Sequence, residues 1–230
     1  MPGKLYIVST PIGNLEDITL RAINILKEVD YIITEDTREA GKLLMLLELP
    51  KKQLISYRDQ NHDRALPQIL ELLEDGKSLG LISDRGTPLV SDPGYKLIRE
   101  VSKTEHEIIP ISGVSAMLAA LVISGLPTDR FTFLGFLPKT KGKKIKAINQ
   151  ALEIESTFII YESPYRVLKT LVQILDEIGD IWISVSKELT KLNEKTYRGK
   201  LSEVITKLEK TKIKGEWVIL GSNKNLEKTK

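Results

Sequence analysis

The stretch Ser83-Asp84-Arg85-Gly86-Thr87-Pro88-Leu89-Val90-Ser91-Asp92-Pro93-Gly94 contains two glycines, two prolines and two aspartates. It follows an apolar run at 78–82 that is typical of a buried strand, and a helical pattern begins near Tyr95. Proline fixes φ and glycine permits positive φ, so this loop is expected to be tightly shaped. A junction of this kind lies at the carboxyl edge of a parallel sheet, where open α/β folds bind their ligands. The loop is therefore our first candidate for a ligand site.

Strands and helices alternate on both sides of this loop throughout the first half of the chain. The predicted strands are 5–9, 31–34, 54–57, 78–83 and 107–111, and the helical patterns lie near 18–29, 37–47, 63–75, 95–104 and 115–124. This alternation predicts βαβ units and a mostly parallel sheet with helices on both faces.

The second half has a different pattern, with five predicted strands and fewer helices. These strands lie at 131–134, 157–161, 181–185, 195–198 and 217–220. We predict an α/β fold of two domains, an N-terminal α/β domain at 1–113 and a C-terminal α+β domain with a mixed sheet at 114–230. Polar, turn-forming segments follow several strands in both halves, which predicts a cleft between the domains lined by strand ends. The polar tail 223–230 is expected to fray.

Composition excludes several classes of function. The chain has 230 residues, no cysteine and two histidines, His62 and His106. Disulfide and thiolate chemistry are therefore excluded, and a metal site is not expected. The sequence shows no apolar run of about 18 residues and no cleavable leader. We expect a soluble, cytoplasmic protein.

The net charge of +3 is unevenly distributed along the chain. Residues 1–113 carry 14 Lys and Arg against 18 Asp and Glu, whereas residues 114–230 carry 20 against 13. The excess lysines either solvate helices or form a surface for a polyanion. Five lysines around Gly142, in what we predict to be a loop, favour the polyanion; they are Lys139, Lys141, Lys143, Lys144 and Lys146.

Two loops resemble known catalytic motifs only in part. Thr10-Pro11-Ile12-Gly13-Asn14 follows the first strand, but its single glycine does not make a dinucleotide fingerprint. Ser112-Gly113-Val114-Ser115-Ala116-Met117 has methionine where a nucleophile elbow needs glycine. We interpret the second segment as a helix start whose hydroxyls and backbone amides face a ligand.

Three further segments each follow a predicted strand and have both a structural and a functional interpretation. In Glu35-Asp36-Thr37-Arg38, Asp36 either caps the next helix and pairs with Arg38 or belongs to a site. The segments Tyr161-Glu162-Ser163-Pro164-Tyr165-Arg166 and Ser186-Lys187-Glu188-Leu189-Thr190-Lys191 carry the same two interpretations.

The order of these segments resembles that of one family, the small-subunit ribosomal RNA cytidine 2′-O-ribose methyltransferases of the tetrapyrrole methylase superfamily. The resemblance spans nearly the whole chain. It is carried by Thr10-Pro11-Ile12-Gly13-Asn14-Leu15-Glu16-Asp17, Glu35-Asp36-Thr37-Arg38, Ser83-Asp84-Arg85-Gly86-Thr87-Pro88, Asp92-Pro93-Gly94, Gly135-Phe136-Leu137-Pro138, Tyr161-Glu162-Ser163, Glu188-Leu189-Thr190-Lys191 and Lys214-Gly215-Glu216.

The resemblance implies a homodimer that uses S-adenosyl-L-methionine, bound between two α/β domains, to methylate a cytidine ribose near the decoding centre. The cofactor-binding residues that it implies are Pro11, Gly13, Asp84, Gly86, Thr87, Ser115, Ala116, Tyr161, Glu162 and Gly215. The arginines and lysines expected to contact RNA are Arg38, Arg85, Lys139, Lys141, Lys143, Lys144, Arg166 and Lys187, with 139–146 acting as a mobile clamp. Arg85 is larger than expected beside Asp84.

Methyl transfer from a sulfonium to a ribose hydroxyl needs alignment, and an acceptor for the hydroxyl proton assists it. The candidate acceptors are Glu188, Glu162 and Asp36, and the residues do not distinguish among them. No metal is required. Two alternative functions stay open at this point: a methylase of the same fold that acts on a tetrapyrrole or a protein side chain, and a non-catalytic RNA-binding module.

Overall fold

The computed structural model describes residues 2–224, and the chain divides into two compact units, one up to Ser115 and one from Ala116 onward. The predicted fraying of the tail falls largely on residues 225–230, which lie outside the described residues. No helix within residues 2–224 is long and apolar enough to cross a membrane.

The first unit is built on a five-stranded parallel sheet. Its strands are β1 (Lys4–Val8), β2 (Tyr31–Thr34), β3 (Gln53–Ser56), β4 (Ser78–Ile82) and β5 (Glu107–Ile111), and their order across the sheet is β3-β2-β4-β1-β5. The strands alternate with α1 (Leu20–Glu28), α2 (Thr37–Leu46), α3 (His62–Glu74) and α4 (Tyr95–Val101). Every register within this sheet is parallel, which confirms the predicted fold class.

The helices cover both faces of this sheet. Helices α1 and α2 pack with Val8 and Ile32 on one face, whereas α3 and α4 pack with Leu5 and Leu79 on the other. The neighbouring strands β1 and β4 thus lead into helices on opposite faces. Such a topological switch point opens a crevice at the carboxyl ends of the strands, where ligands bind in open α/β sheets.

The second unit contains a mixed sheet with strand order β6-β7-β10-β8-β9. Its elements are α5 (Ala116–Val122), β6 (Phe131–Phe136), α6 (Lys141–Glu153), β7 (Thr157–Glu162), α7 (Val167–Ile178), β8 (Trp182–Lys187), β9 (Lys195–Lys200), α8 (Leu201–Glu209) and β10 (Trp217–Ser222). Strands β6 and β7 are parallel, and the remaining pairs are antiparallel. As a result, β6, β7 and β8 end, and β9 and β10 begin, at one edge of the sheet, which we call the cationic edge.

One face of this sheet carries a core shared with α6, α7 and α8. Phe158 and Trp217 are the largest fully buried side chains of the unit, and both belong to that core. Helix α5 packs against β7 and β10.

The predicted loop around Gly142 is wrong. Residues from Lys141 onward form α6, and Ile145, Ile148 and Leu152 bury one face of this helix. Four of the five clustered lysines therefore stand on a helix, which does not fit the predicted mobile clamp, and Lys139 precedes this helix.

Candidate active site

The loops that follow β1 and β4 are joined at the switch point. The Thr10 N–H donates to the Gly86 carbonyl over 2.8 Å, and the Gly86 N–H donates to the Thr10 carbonyl over 3.0 Å. The Thr10 hydroxyl adds a bond of 3.2 Å to the Ser83 carbonyl. Gly86 has φ of +81°, which favours glycine, and a Cβ there would lie 3.2 Å from Ile12 Cγ2. Two motifs singled out in the sequence therefore form one structure.

The loop that follows β5 is attached to the same structure through Thr87. The Ser9 hydroxyl donates to Thr87 Oγ1 over 3.2 Å, and the Thr87 hydroxyl donates to the Val114 carbonyl over 2.9 Å. A Cβ on Gly113 would lie 2.7 Å from Ser9 Cβ, so only glycine permits this approach. Three loops from the adjacent strands β4, β1 and β5 are thereby fixed together at one edge.

The predicted cofactor residues of this unit lie in or beside these three loops. Pro11 is buried and Gly13 is exposed, so the first loop passes from the interior to the surface. Ser115 Oγ is buried and has no hydrogen-bond partner within residues 2–224. Buried polar atoms are normally bonded, so an unbonded hydroxyl in the loop after β5 suits a polar ligand, and Asp84 in the loop after β4 adds an exposed carboxylate at the same edge of the sheet. These residues fit a donor such as S-adenosylmethionine, which carries amino, carboxylate and hydroxyl groups.

Asp36 and Arg38 form a helix cap and an ion pair. Asp36 Oδ1 accepts from the Arg38 N–H over 2.9 Å, and Asp36 Oδ2 lies 2.6 Å from Arg38 Nη2. These bonds hold the pKa of Asp36 well below its usual range. A carboxylate with a lowered pKa is a weak base, which disfavours Asp36 as the proton acceptor. The Asp36 N–H donates to Asp84 Oδ1 over 3.3 Å and so connects the ends of β2 and β4.

Asp92 is a polar residue of this edge that was not among the predicted site residues. Burial raises its pKa to about 6; a hydrogen bond with Ser83 opposes that shift, and the nearby charges of Glu35 and Asp84 reinforce it. The loop that carries Asp92 is strained, because Leu89 and Ser91 have φ of +70° and +67°. The cluster of prolines and glycines was the signal for this conformation.

The predicted residues of the second unit gather at the cationic edge. Glu162 at the end of β7 and Lys187 at the end of β8 both lie opposite Trp217 at the start of β10. The Lys187 ammonium lies 5.9 Å from the centroid of the Trp217 ring. Tyr161 is half-buried and makes edge-to-face contacts with Phe133 and Phe136 at centroid distances of 4.9 and 5.7 Å.

Glu162 is held inside this unit. Its side chain is fully buried and accepts hydrogen bonds from the Ser163 N–H, the Arg166 guanidinium and the Thr170 hydroxyl. A carboxylate in that position is not accessible to a large substrate, which disfavours Glu162 as a base or a cofactor contact.

Glu188 and Gly215 are in contact. Glu188 Oε1 accepts from the Glu216 N–H and from Lys191 Nζ, each over 3.0 Å. Glu188 has φ of +51°, and a Cβ on Gly215 would collide with its carboxylate. Glycine at 215 is therefore needed for this packing. The contact joins two segments that are 27 residues apart in the sequence.

The predicted RNA-binding lysines differ in their exposure. Lys139, Lys141 and Lys143 are exposed near the start of α6, and Lys141 pairs with Glu177 over 2.6 Å. Lys144 is 3% exposed and donates to Thr170 and Gln173, so it is not part of the surface cluster. The apolar spacing of α6 was the signal for its inward position.

Comparison with known proteins places this geometry in a family. The Tetrapyrrole (Corrin/Porphyrin) Methylases match residues 4–205. The chain belongs to this family. It is 44% identical to "Ribosomal RNA small subunit methyltransferase I" of Thermotoga maritima, over 96% of this chain and 99% of the relative. A protein of the same name from Bacillus subtilis is 41% identical, with 96% of this chain and 76% of the relative covered.

A solved structure shares the fold at low sequence identity. The crystal structure of diphthine synthase has a TM-score of 0.75 at 13% identity and covers 96% of this chain and 90% of its own. This likeness confirms the fold that the order of motifs predicted. The family match confirms the resemblance on which those motifs were interpreted.

Proposed function

We propose that this protein transfers the methyl group of S-adenosyl-L-methionine to the 2′-hydroxyl of a cytidine in small-subunit ribosomal RNA, near the decoding centre. The likeness to relatives named as small-subunit ribosomal RNA methyltransferases carries this proposal, since it spans 96% of the chain. The matched region therefore includes the strand ends of both sheets. The proposed site of action is the bacterial cytoplasm, where ribosomal subunits are made.

The fixed loops at the switch point of the first sheet support cofactor binding. Asp84, Gly86, Thr87 and Ser115 would hold the donor at this edge, together with the predicted contacts Pro11 and Gly13. Bound there, S-adenosylmethionine would supply an activated methyl group on a sulfonium. The chain contributes orientation, because loops bonded to one another hold their polar groups in fixed positions.

Glu188 is the proton acceptor that we propose for the ribose hydroxyl. Its side chain is 23% exposed, whereas Glu162 is fully buried and the bonds from Arg38 hold the pKa of Asp36 well below its usual range. Lys191 Nζ donates to Glu188 Oε1 and, over 2.7 Å, to Glu216 Oε2. The carboxylate is therefore held in one orientation.

The start of α6 supports an RNA substrate. Its first turn contains several lysines and no acidic residue. Cations at a helix N-terminus are unfavourable because the helix dipole is positive there, so their presence fits a surface selected to bind an anion. Exposed Lys139, Lys143 and Lys195, and half-buried Lys187, lie at the cationic edge and add to this surface.

A tritium-transfer assay tests the proposal. The protein is incubated with labelled S-adenosylmethionine and small ribosomal subunits from cells that lack this methyltransferase, and the digested RNA is analysed by nucleoside. We expect label in 2′-O-methylcytidine. Label in a base or in another nucleoside would overturn the assignment of the acceptor. An absence of label in RNA, with cofactor binding intact by calorimetry, would favour a methylase of the same fold that acts on a tetrapyrrole or a protein. Absence of both would favour a non-catalytic RNA-binding module.

A further inference from the structure

The second unit contains a buried chain of polar side chains that leads to its surface. Lys144 Nζ donates to Thr170 Oγ1 over 2.7 Å, and the Thr170 hydroxyl donates to Glu162 Oε2 over 2.8 Å. Glu162 Oε1 accepts from Arg166 Nε over 2.7 Å and lies 2.7 Å from Arg166 Nη2. The side chain of Glu162 is 0% exposed and that of Arg166 is 28% exposed. The chain thus begins inside the unit and ends at the cationic edge.

Burying these groups is costly unless each is bonded. A buried charge that loses its partner destabilises a protein by several kcal/mol, and an apolar replacement of the whole group is often as stable. Stability alone therefore does not account for a lysine and a glutamate at this place. Their geometry does have one definite consequence, since the bonds to Glu162 restrict the rotamers of Arg166.

The formal charges of Lys144, Glu162 and Arg166 sum to +1. An isolated Glu162–Arg166 pair would be neutral and would attract an anion weakly. Lys144 lies close enough to interact electrostatically with Glu162. Lys144 is linked to the Glu162 carboxylate through Thr170, and Arg166 is bonded to it directly. One carboxylate therefore faces two cations, and the cation that reaches the surface is Arg166.

Arg166 retains donors for an external group. Its guanidinium has five N–H groups, and within residues 2–224 the bonds described for it use Nε and Nη2 only. The neighbouring Tyr165 is 95% exposed, so a large molecule can approach this position. A guanidinium with a fixed orientation is suited to a phosphate, because its planar N–H groups match the phosphate oxygens.

We propose that Glu162, Thr170 and Lys144 are positioning residues that fix the Arg166 guanidinium to bind a phosphate of the RNA substrate. This inference rests on the proposed RNA substrate and assigns one contact within it. It gives Glu162 a role other than that of a base or a cofactor ligand. The effect of Glu162 on RNA is exerted entirely through Arg166.

The experiment is a double-mutant cycle on RNA binding, measured by filter binding of small-subunit RNA without cofactor. Arg166→Ala is expected to weaken binding about tenfold and to lower the salt dependence by about one phosphate contact. Glu162→Gln is expected to weaken binding about threefold, because the guanidinium is no longer held. The double variant should bind as Arg166→Ala does, since Glu162 acts through Arg166. Lys169→Ala removes an exposed charge from the same helix and is the matched control, expected to change binding less than twofold.

The remaining readouts separate the possible outcomes. Calorimetric affinity for S-adenosylmethionine should be unchanged in every variant, and thermal melting establishes that each is folded. If Glu162→Gln does not fold, Lys144→Met replaces it in the cycle, with the same expected dependence on Arg166. Additive losses, unchanged binding in Arg166→Ala, or a loss of cofactor affinity would overturn the positioning role. Wild-type protein that binds RNA through Arg166 but transfers no methyl group would overturn the proposed function and leave the positioning role standing; wild-type protein that binds no RNA would overturn both.

Discussion

Asp84 stands at the end of β4 with an exposed carboxylate that accepts the Asp36 N–H. We predict that Asp84→Ala weakens S-adenosylmethionine binding about tenfold, because a charged hydrogen-bond partner is lost. Calorimetry measures the dissociation constant. Asp75→Ala, which removes an exposed acid at the opposite edge of the same sheet, is the control and should leave the constant unchanged. An affinity equal to that of the wild type would exclude Asp84 from the binding site.

Asp92 makes stability depend on pH in a direction opposite to that of most carboxylates. Its pKa is about 6 in the folded protein and near 3.8 when unfolded, so the protonated form is favoured in the native state. The stability that the folded state gains from holding this proton is therefore complete below pH 3.8. It is lost as the pH rises through 6, where Asp92 must ionise in the folded protein. We predict that Asp92→Asn raises the free energy of unfolding at pH 7 by about 1–2 kcal/mol, allowing for solvent screening.

Urea titrations at pH 4 and pH 7 measure this effect. The difference between Asp92→Asn and the wild type should be small at pH 4 and large at pH 7. Asp176→Asn, on an exposed face of α7, is the control. Its free energy of unfolding should differ from that of the wild type by the same amount at pH 4 and at pH 7. A destabilised Asp92→Asn at pH 7 would contradict the assigned direction of the pKa.

Glu188 is tested by removal of its charge. Glu188→Gln should lower kcat for RNA methylation about a hundredfold, because a ribose hydroxyl then lacks its proton acceptor. The hydrogen bond from the Glu216 N–H can persist to the amide oxygen, so cofactor affinity should be retained. Single-turnover methyl transfer measures the chemical step, and Glu194→Gln in the same loop serves as the control. A raised KM with unchanged kcat would assign Glu188 to substrate binding.

At the level of single residues, the sequence predicted which segments matter better than what each side chain does. The alternative that Asp36 caps a helix and pairs with Arg38 is confirmed by the structure. The burial of Glu162 could not be predicted, because charged residues are seldom buried unless paired, whereas the apolar spacing of α6 indicates the inward position of Lys144. Their partner Thr170 lies on a helix that the sequence analysis did not delimit.

At the level of elements, strands were predictable because hydrophobic runs and turn residues bound them closely. All ten predicted strands are present. The first sheet is parallel because a helix lies between successive strands, and the second is mixed because some of its successive strands have no helix between them. Helix α6 was not predicted because the lysines around Gly142 were interpreted as a loop. Ile145, Ile148 and Leu152, which share one helical face, indicate the helix.

The corrected position of α6 changes which substitutions test its role. Lys144 is buried, so charge reversal there would disrupt the core, whereas Lys139 and Lys143 are exposed. We predict that Lys139→Glu combined with Lys143→Glu raises the KM for ribosomal subunits about tenfold or more with little change in kcat. Lys27→Glu combined with Lys77→Glu, at the amino edge of the first sheet, is a control of equal charge change. Equal KM values for the two double variants would show that only net charge matters.

At the level of the whole molecule, the uneven charge predicts that RNA binding and S-adenosylmethionine binding differ in their dependence on salt. Residues 1–113 are net acidic and residues 114–230 are net basic, by 18 against 14 and 20 against 13. RNA binding releases counterions from each neutralised phosphate, whereas binding of a small zwitterionic donor releases few. Salt should therefore weaken the first event far more than the second.

We predict that the logarithm of the RNA association constant falls with the logarithm of salt concentration with a slope of about −2 to −3, as for three or four phosphates of a single strand. Filter binding between 50 and 200 mM potassium chloride gives the slope, and calorimetry over the same range should show S-adenosylmethionine affinity changing less than about twofold. The Lys139→Glu, Lys143→Glu variant should have a shallower slope than the wild type, whereas its amino-edge control should not. A flat slope for RNA would mean that the basic half solvates the protein and that the substrate is a small molecule or a protein. A steep slope shared by both variants would place the polyanion on a surface away from α6.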